Sequence, residues 1–129
     1  MDEADNIWNR ACAMTPASER AGDVALNAAL RVHSMVMSGG VLHAVETLDA
    51  TDLDGGEAGF TWLGLADVAT VVRDVRQHVE AGALDDDEQA EALESDADDR
   101  YSQLIPTDAA LEDAFLERLS ADPDSFMRD

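Results

Sequence analysis

The sequence predicts an all-α protein in which residues 1–129 form one compact domain of about six or seven helices. Apolar residues recur three and four positions apart along nearly the whole chain, which is the spacing of one face of a helix. Glycine and proline separate these periodic segments from one another. A chain of this length fits one domain and buries about two-thirds of the surface that its unfolded form exposes.

Two helices are expected before residue 40. The first spans about residues 3–13. The second spans about residues 16–37, because Thr15 can cap it and Pro16 suits the first helical position, where a missing N–H group does no harm. Two adjacent apolar stripes give this second helix a wide apolar face and predict that it is the central helix. The stripes consist of Ala25, Ala29, Val32 and Val36, and of Leu26, Leu30, His33 and Met37.

The middle of the chain is predicted to contain two further helices and a loop. Gly39-Gly40 ends the central helix, and a short helix follows over about residues 41–48. Residues 51–56 are predicted to form a loop, since aspartate and glycine cluster there with little apolar content. Valines at spacings of four, three and four predict a helix over residues 66–79, closed by Gly82. A strand is the alternative for this segment because valine favours strands.

The last long helix is predicted to begin at Thr107 or Asp108, after a boundary at Ile105-Pro106, and to end before Asp122-Pro123. Phe126 is expected to fold back onto the core. The side chains that this helix should bury are Leu111, Phe115, Leu116 and Leu119.

The charge balance limits the function classes. The chain has 29 acidic and 8 basic residues, a formal charge of −21, and all its basic residues are arginines. Without lysine there is no P-loop lysine, Schiff base or lysine general base. Such a charge repels nucleic acid and anionic membranes, and it attracts basic protein surfaces. Adaptation to a high-salt cytoplasm, or genome composition, is the alternative explanation of the acidity.

The first residues and the single cysteine predict a reduced, cytoplasmic protein. Residues 1–5 are acidic and no apolar run follows them, which argues against a signal peptide. No apolar stretch approaches the length of a membrane span. Cys12 has no partner for a disulfide and is expected to be a packed, small apolar side chain. His33 lies on an apolar stripe, where a hydrogen-bonded histidine at the core or its boundary is expected.

No catalytic, cofactor-binding or metal-binding residue is predicted. Residues 52–55 resemble part of a calcium loop, but the first and twelfth positions of such a loop would be Ala50 and Thr61, which are not carboxylates. The pairs His43/Glu46 and Asp74/His78 have helical spacing but lack the further ligands of a known metal motif. A metal-dependent hydrolase using either pair is the least favoured alternative.

An acidic stretch over residues 85–99 is the strongest candidate for a binding site, either as a short helix or as a mobile, solvated linker. If it is helical, carboxylates spaced four, three and four apart share one face and recur every ~5–6 Å. A DNA strand has a phosphate every ~3.4 Å along its axis, so such rows coarsely imitate phosphates and can pair with arginine and lysine. The predicted partner-binding residues are Asp85, Asp86, Asp87, Glu88, Glu91, Glu94, Asp96, Asp98 and Asp99, and the shared face consists of Asp87, Glu91, Glu94 and Asp98.

The segment LRVHSMVMSGG, residues 30–40, resembles the helix and Gly-Gly turn of the bacterial DNA-mimic protein 19 domain family. Further similar segments are residues 63–69, 98–101, 111–115 and 122–126, and they occur in the same order as in the family. Taken together, these segments extend the resemblance over most of residues 20–127.

The resemblance implies an all-helical fold and a role in transcription regulation. The member that gives the family its name is an acidic protein that imitates duplex DNA and occupies a helix-turn-helix transcription factor, so an antirepressor-like role is implied here. The family commonly has aromatic residues soon after Gly-Gly, where this chain has Val41, Leu42 and His43. The alternatives are an immunity-like inhibitor of a basic toxin and a domain whose acidity reflects salt adaptation alone.

Overall fold

The computed structural model describes residues 3–13 and 18–127, and in this part of the chain all regular structure is helical. It contains seven α-helices in one compact domain, so the predicted fold class is confirmed. None of the helices in the described ranges has the length and apolar character needed to cross a membrane. The α-helices are α1 (Glu3–Cys12), α2 (Ala21–Gly39), α3 (Val41–Thr47), α4 (Ala50–Trp62), α5 (Ala66–Glu80), α6 (Asp87–Leu104) and α7 (Asp108–Ala121), with short 3-10 turns at Ala83–Asp85 and Pro123–Ser125.

The central helix is α2, which packs against α1, α3 and α4. Leu26, Ala29 and Val32 on its apolar face are fully buried, in agreement with the two predicted stripes. The face is wide because helices cover it from more than one side. Met37, at the end of one stripe, is the exception and is 63% exposed.

The start of α2 differs from the prediction. Thr15 and Pro16, the predicted cap and first residue, lie outside the described residues. The helix begins at Ala21, and Arg20 has an extended conformation while its carbonyl accepts the first helical hydrogen bond, from Val24 N–H at 3.0 Å. Gly22 in the first turn lies so close to Phe126 that a Cβ atom there would be 2.8 Å from the ring. The chain end therefore packs onto the first turn of α2, as expected for Phe126.

The predicted loop at residues 51–56 is wrong, because these residues form the first half of α4. Asp49 caps the helix by accepting a hydrogen bond from Asp52 N–H at 2.8 Å. Gly56, one of the two glycines that indicated a loop, instead brings α4 close to α2. A Cβ atom at Gly56 would lie 2.3 Å from a methyl group of Val32, so only glycine allows this approach. The sequence pattern of a loop and that of a close helix contact are the same here.

The helix predicted over residues 66–79 is confirmed as α5. Val68, Val71, Val72 and Val75 are each 1% exposed, and together they line the side that faces the core. Four valines at these positions form one face of a helix, whereas a strand would place neighbouring residues on opposite faces. The spacing therefore outweighed the preference of valine for strands.

The predicted bounds of α7 are correct, whereas only two of its four predicted core side chains are fully buried, and Leu119 is partly buried. Thr107 caps the helix by accepting a hydrogen bond from Ala109 N–H at 3.3 Å, and Leu111 and Phe115 are buried. Leu116, predicted to be buried, is 40% exposed. The core-facing side of α7 is a narrow stripe, and Leu116, one residue beyond Phe115, lies about 100° away around the helix.

Cys12 is exposed, so its predicted burial is also wrong. It is the last residue of α1, whereas Ile7 and Ala11 form the buried contact of this helix. Partial desolvation, and to a smaller extent the charge of Asp108, raise the pKa of the Cys12 thiol above its ordinary value. A thiol with a raised pKa is a poor nucleophile at neutral pH.

Candidate partner-binding surface

Most of the acidic stretch lies in α6, which continues beyond residue 99 to Leu104. Asp86 caps α6 by accepting a hydrogen bond from Glu88 N–H at 2.9 Å. Asp87 and Glu88 then occupy the first turn, where the partial positive charge of the helix N-terminus favours carboxylates. Asp85 precedes the cap and is exposed at the end of the 3-10 turn. The charge run therefore stabilises the start of the helix to which it belongs.

Three side chains on one side of α6 attach it to the core. Ala97 and Tyr101 are 1% and 2% exposed, and Leu93 one turn earlier packs against the same core. These residues are spaced four apart, so a narrow apolar stripe holds an otherwise acidic helix. The helix packs against α3 on one side and α5 on the other.

Tyr101 also connects α6 to α2 and α7 through His33. The Tyr101 hydroxyl lies 2.7 Å from His33 Nδ1, and His33 Nε2 lies 2.7 Å from a carboxylate oxygen of Asp108. Because the carboxylate only accepts, Nε2 donates to it, and the second ring nitrogen, Nδ1, shares the hydrogen bond with the Tyr101 hydroxyl. His33 is thus the hydrogen-bonded, buried histidine that its position predicted.

The predicted shared face of α6 contains three exposed carboxylates and one engaged carboxylate. Asp87, Glu91 and Glu94 are exposed. Asp98 is half-buried, and its Oδ1 accepts a hydrogen bond from Val41 N–H at 2.9 Å. We call the three exposed residues Asp87, Glu91 and Glu94 the first acidic row. Asp98, in contrast, supports the turn between α2 and α3.

A second acidic row runs along the other side of the exposed surface of α6. It consists of Glu88, Asp96 and Asp99, all exposed. Helical spacing places Ala92 between Glu88 and Asp96, four residues from each. Counted through Ala92, the positions of this row are four, four and three residues apart. Those of the first acidic row are four and three residues apart.

The arginines that the structure describes leave these carboxylates unneutralised. Within residues 3–13 and 18–127, no ion pair involves a carboxylate of residues 85–99. The described arginines interact with groups elsewhere. Arg10 pairs with Asp23, Arg20 with the carbonyl of Asp124, Arg31 with Asp52, Arg73 and Arg76 with Glu57, and Arg100 with Asp74, while Arg118 stacks on Trp62.

Side chains of both histidine-acid pairs make contacts with other groups. Asp74 accepts a hydrogen bond from Arg100 at 3.1 Å, and His78 Nδ1 lies 2.7 Å from the backbone carbonyl of Asp74 rather than from its carboxylate. His43 lies 3.5 Å from Thr47. Among the residues that the structure describes, no group of three or more His, Cys, Asp or Glu side chains is arranged to hold a metal ion.

Two features of the surface were missed by the sequence reasoning. One is an acidic patch on α7, formed by the exposed residues Glu112, Asp113 and Glu117. The spacing of these residues along a predicted helix indicates an acidic patch, although the patch contains fewer carboxylates than residues 85–99. The other is an apolar groove between α5 and α6, which no local pattern indicates because its walls come from separate helices.

No family model, curated protein or solved structure matches this chain. The resemblance to the DNA-mimic family therefore stays a prediction, and function has to be argued from the surface itself.

Proposed function

We propose that this protein is a non-enzymatic interaction protein that binds the basic surface of a DNA-binding protein through α6, in the place of duplex DNA. A helix-turn-helix transcription factor is the kind of partner that the family resemblance suggests. In this role the carboxylates of α6 receive the arginine and lysine side chains that otherwise contact phosphates.

The observation that carries the proposal is the presentation of unpaired carboxylates by a helix that is anchored in the core. The first acidic row and the second acidic row are exposed, and no described arginine neutralises them. Tyr101 and Ala97 anchor the helix in the core, so its backbone needs little ordering when a partner binds. A mobile acidic tail would lose more conformational entropy for the same contacts.

The dimensions of α6 are compatible with this role. An α-helix with its side chains is ~10–12 Å wide, and the two rows lie roughly 130° apart around it, so they are separated by ~9–11 Å, somewhat less than the ~12 Å width of the major groove. Within a row, carboxylates recur every ~5–6 Å along the axis. The match to phosphate spacing is coarse, and the flexible side chains of arginine and lysine can accommodate the difference.

The test compares three variants that each remove three negative charges. The first replaces the first acidic row (Asp87→Asn, Glu91→Gln, Glu94→Gln), and the second replaces the second acidic row (Glu88→Gln, Asp96→Asn, Asp99→Asn). The control replaces the α7 patch (Glu112→Gln, Asp113→Asn, Glu117→Gln). Immobilised protein captures partners from source-cell lysate at low salt, and mass spectrometry identifies proteins that salt and competing duplex DNA release. Affinity for the recovered partner is then measured for each variant.

We expect each α6 variant to weaken binding at least tenfold, corresponding to about 1.4 kcal/mol, and the α7 control to have a smaller effect. Affinity should fall steeply with ionic strength, since it depends on exposed charges. Equal losses for all three variants would mean that overall charge, and not α6, determines binding. Recovery of a basic toxin, unaffected by competing DNA, would favour the immunity-like alternative. Recovery of no specific partner would favour salt adaptation.

A further inference from the structure

The groove between α5 and α6 has an apolar floor and an open mouth. Val75 and Ala97 form the floor and are each 1% exposed, and Ala83 and Leu93 line it further. Its volume is about 360 Å³, enough to admit a leucine side chain. The groove exists because Ala83, Ala92 and Ala97 are too small to fill the space above Val75.

Exposed acidic residues of α6 lie along one side of this groove. Asp96 lies on its rim, and Glu88 and Asp96 lie four residues before and after Ala92, which forms part of its mouth. Arg100 and His78 also line it, but Arg100 is paired with Asp74 at 3.1 Å and His78 is bonded to a backbone carbonyl. Ala92 is therefore an apolar gap in the second acidic row, located directly over an apolar groove.

We infer that the α5–α6 groove receives an apolar side chain from a basic helical segment of the partner, while flanking basic residues of that segment pair with Glu88 and Asp96. Charge complementarity determines this choice of occupant, because an acidic or neutral apolar segment would face the carboxylates of the second acidic row without compensation. Laying a helix with one apolar stripe into a groove between two helices is a common mode of recognition. The inference rests on the proposed function and adds an apolar contact to it.

The contact changes the expected salt dependence. Charge pairs on an exposed helix weaken as ionic strength rises, whereas burial of an apolar side chain does not depend on screening. A partner with the apolar residue should thus keep part of its affinity at high salt. Duplex DNA offers no equivalent contact, so the groove would distinguish this protein from a simple imitation of phosphates.

The test uses two labelled synthetic helical peptides of equal charge. Both peptides have the same arginine and alanine positions. The remaining positions, which form one stripe along the helix, are leucine in one peptide and serine in the other. Fluorescence anisotropy measures their affinity for the wild-type protein, for Ala92→Trp, which fills the mouth of the groove, and for Ser95→Trp. The last variant places the same side chain at an exposed position outside the groove. Circular dichroism checks that each variant is folded.

We expect the wild-type protein to bind the leucine peptide about tenfold more tightly than the serine peptide, the equivalent of burying one leucine in part. Ala92→Trp should abolish this ratio and Ser95→Trp should keep it. Equal affinity of the wild-type protein for the two peptides would overturn the inference and leave the proposed function standing, and this comparison needs no variant. A ratio that Ala92→Trp leaves unchanged would also overturn it. Failure of both peptides to bind would count against the proposed function as well.

Discussion

Gly59 of α4 faces the backbone carbonyl of Ala25 on α2 so closely that a Cβ atom at position 59 would lie 2.4 Å from that oxygen. Real Cβ atoms do not approach an oxygen this closely, and a backbone oxygen in a central helix has little freedom to move. The glycine therefore sets the distance between the two helices that form much of the core.

We predict that Gly59→Ala lowers the free energy of unfolding by about 2–3 kcal/mol, the usual cost of forcing extra volume into a packed contact. Gly55→Ala is the matched control. Its Cβ atom would meet only the side chain of Ala28, at 3.6 Å, and alanine raises helix stability by about 0.5–1 kcal/mol relative to glycine. Urea unfolding measures both. A destabilised Gly55→Ala, or an unaffected Gly59→Ala, would contradict the described packing of α4 on α2.

Asp98 is predicted to contribute to stability rather than to partner binding. Asp98→Ala removes the acceptor of the Val41 N–H group and should cost about 1 kcal/mol, as the loss of a helix cap does. Asp98→Asn keeps an oxygen acceptor and should cost less. Asp99→Ala, at the exposed neighbouring position, should change stability by less than about 0.5 kcal/mol. Equal stability of Asp98→Ala and Asp99→Ala in thermal unfolding would refute this role.

We predict that ionisation of Tyr101 lowers the free energy of unfolding in alkaline solution. Burial, and to a smaller extent the charge of Asp108, raise the pKa of Tyr101 well above its ordinary value of about 10. The folded protein thus keeps the phenol proton while the unfolded chain loses it. This contribution is complete below pH ~10 and is lost progressively as pH rises from there towards the folded-state pKa, by up to about 1.4 kcal/mol per pH unit.

The chain has a single tyrosine, so tyrosinate absorbance in the near ultraviolet reports on Tyr101 alone. In the folded protein, ionisation should begin only well above pH ~10 or together with unfolding detected by circular dichroism. A reversible midpoint near pH 10 in a protein that stays folded would show that the hydroxyl is accessible to solvent. Cys12→Ser is the control background, since the raised pKa of the Cys12 thiol adds a loss of the same sign at alkaline pH.

Glu57 should be the most important acidic residue for the α4–α5 contact. It is 8% exposed, and it accepts hydrogen bonds from Arg73 Nε at 3.0 Å and from Arg76. We expect Glu57→Gln to lower the free energy of unfolding by about 2 kcal/mol, because it leaves Arg76 partly buried without a full counter-charge. Part of this interaction is screened, since the Arg73 side chain is 54% exposed.

Asp54→Asn serves as the comparison for Glu57→Gln. Asp54 pairs with the same Arg76, at 2.8 Å, but its side chain is 71% exposed. Exposed ion pairs contribute little, so the change should be within about 0.5 kcal/mol. Chemical denaturation of the two variants at the same ionic strength compares them directly. Equal effects would show that burial does not control the strength of this network.

The helices whose apolar spacing is regular were predictable from the sequence. The spacing of the valines in α5 identified a helix against their own preference for strands, and Gly39-Gly40 correctly ended α2, with Gly40 at a φ of 98°. The cap at Thr107 is predictable because the hydroxyl accepts a hydrogen bond from a residue only two positions away. In each case the deciding interaction is local, so the sequence contains it.

The errors involve residues whose role depends on a distant segment. Gly56 and Gly59 of α4 lie in a close contact with α2, and Leu116 and Cys12 lie on sides that none of the described helices buries. The engagement of Asp98, one of the predicted partner-binding carboxylates, by the Val41 N–H group likewise depends on a distant segment. A local pattern cannot distinguish a glycine in a loop from one in a helix contact.

For the candidate surface, composition and spacing by themselves determined the all-helical class, the acidity and the position of the densest carboxylate run. Only the tertiary structure decided that this run is a helix anchored in the core, that Asp98 is engaged while the two acidic rows are exposed, and that Ala92 opens onto a groove. The reason is physical. Helix formation and charge depend on neighbours a few residues apart, whereas exposure, ion pairing and grooves depend on which segments meet in space.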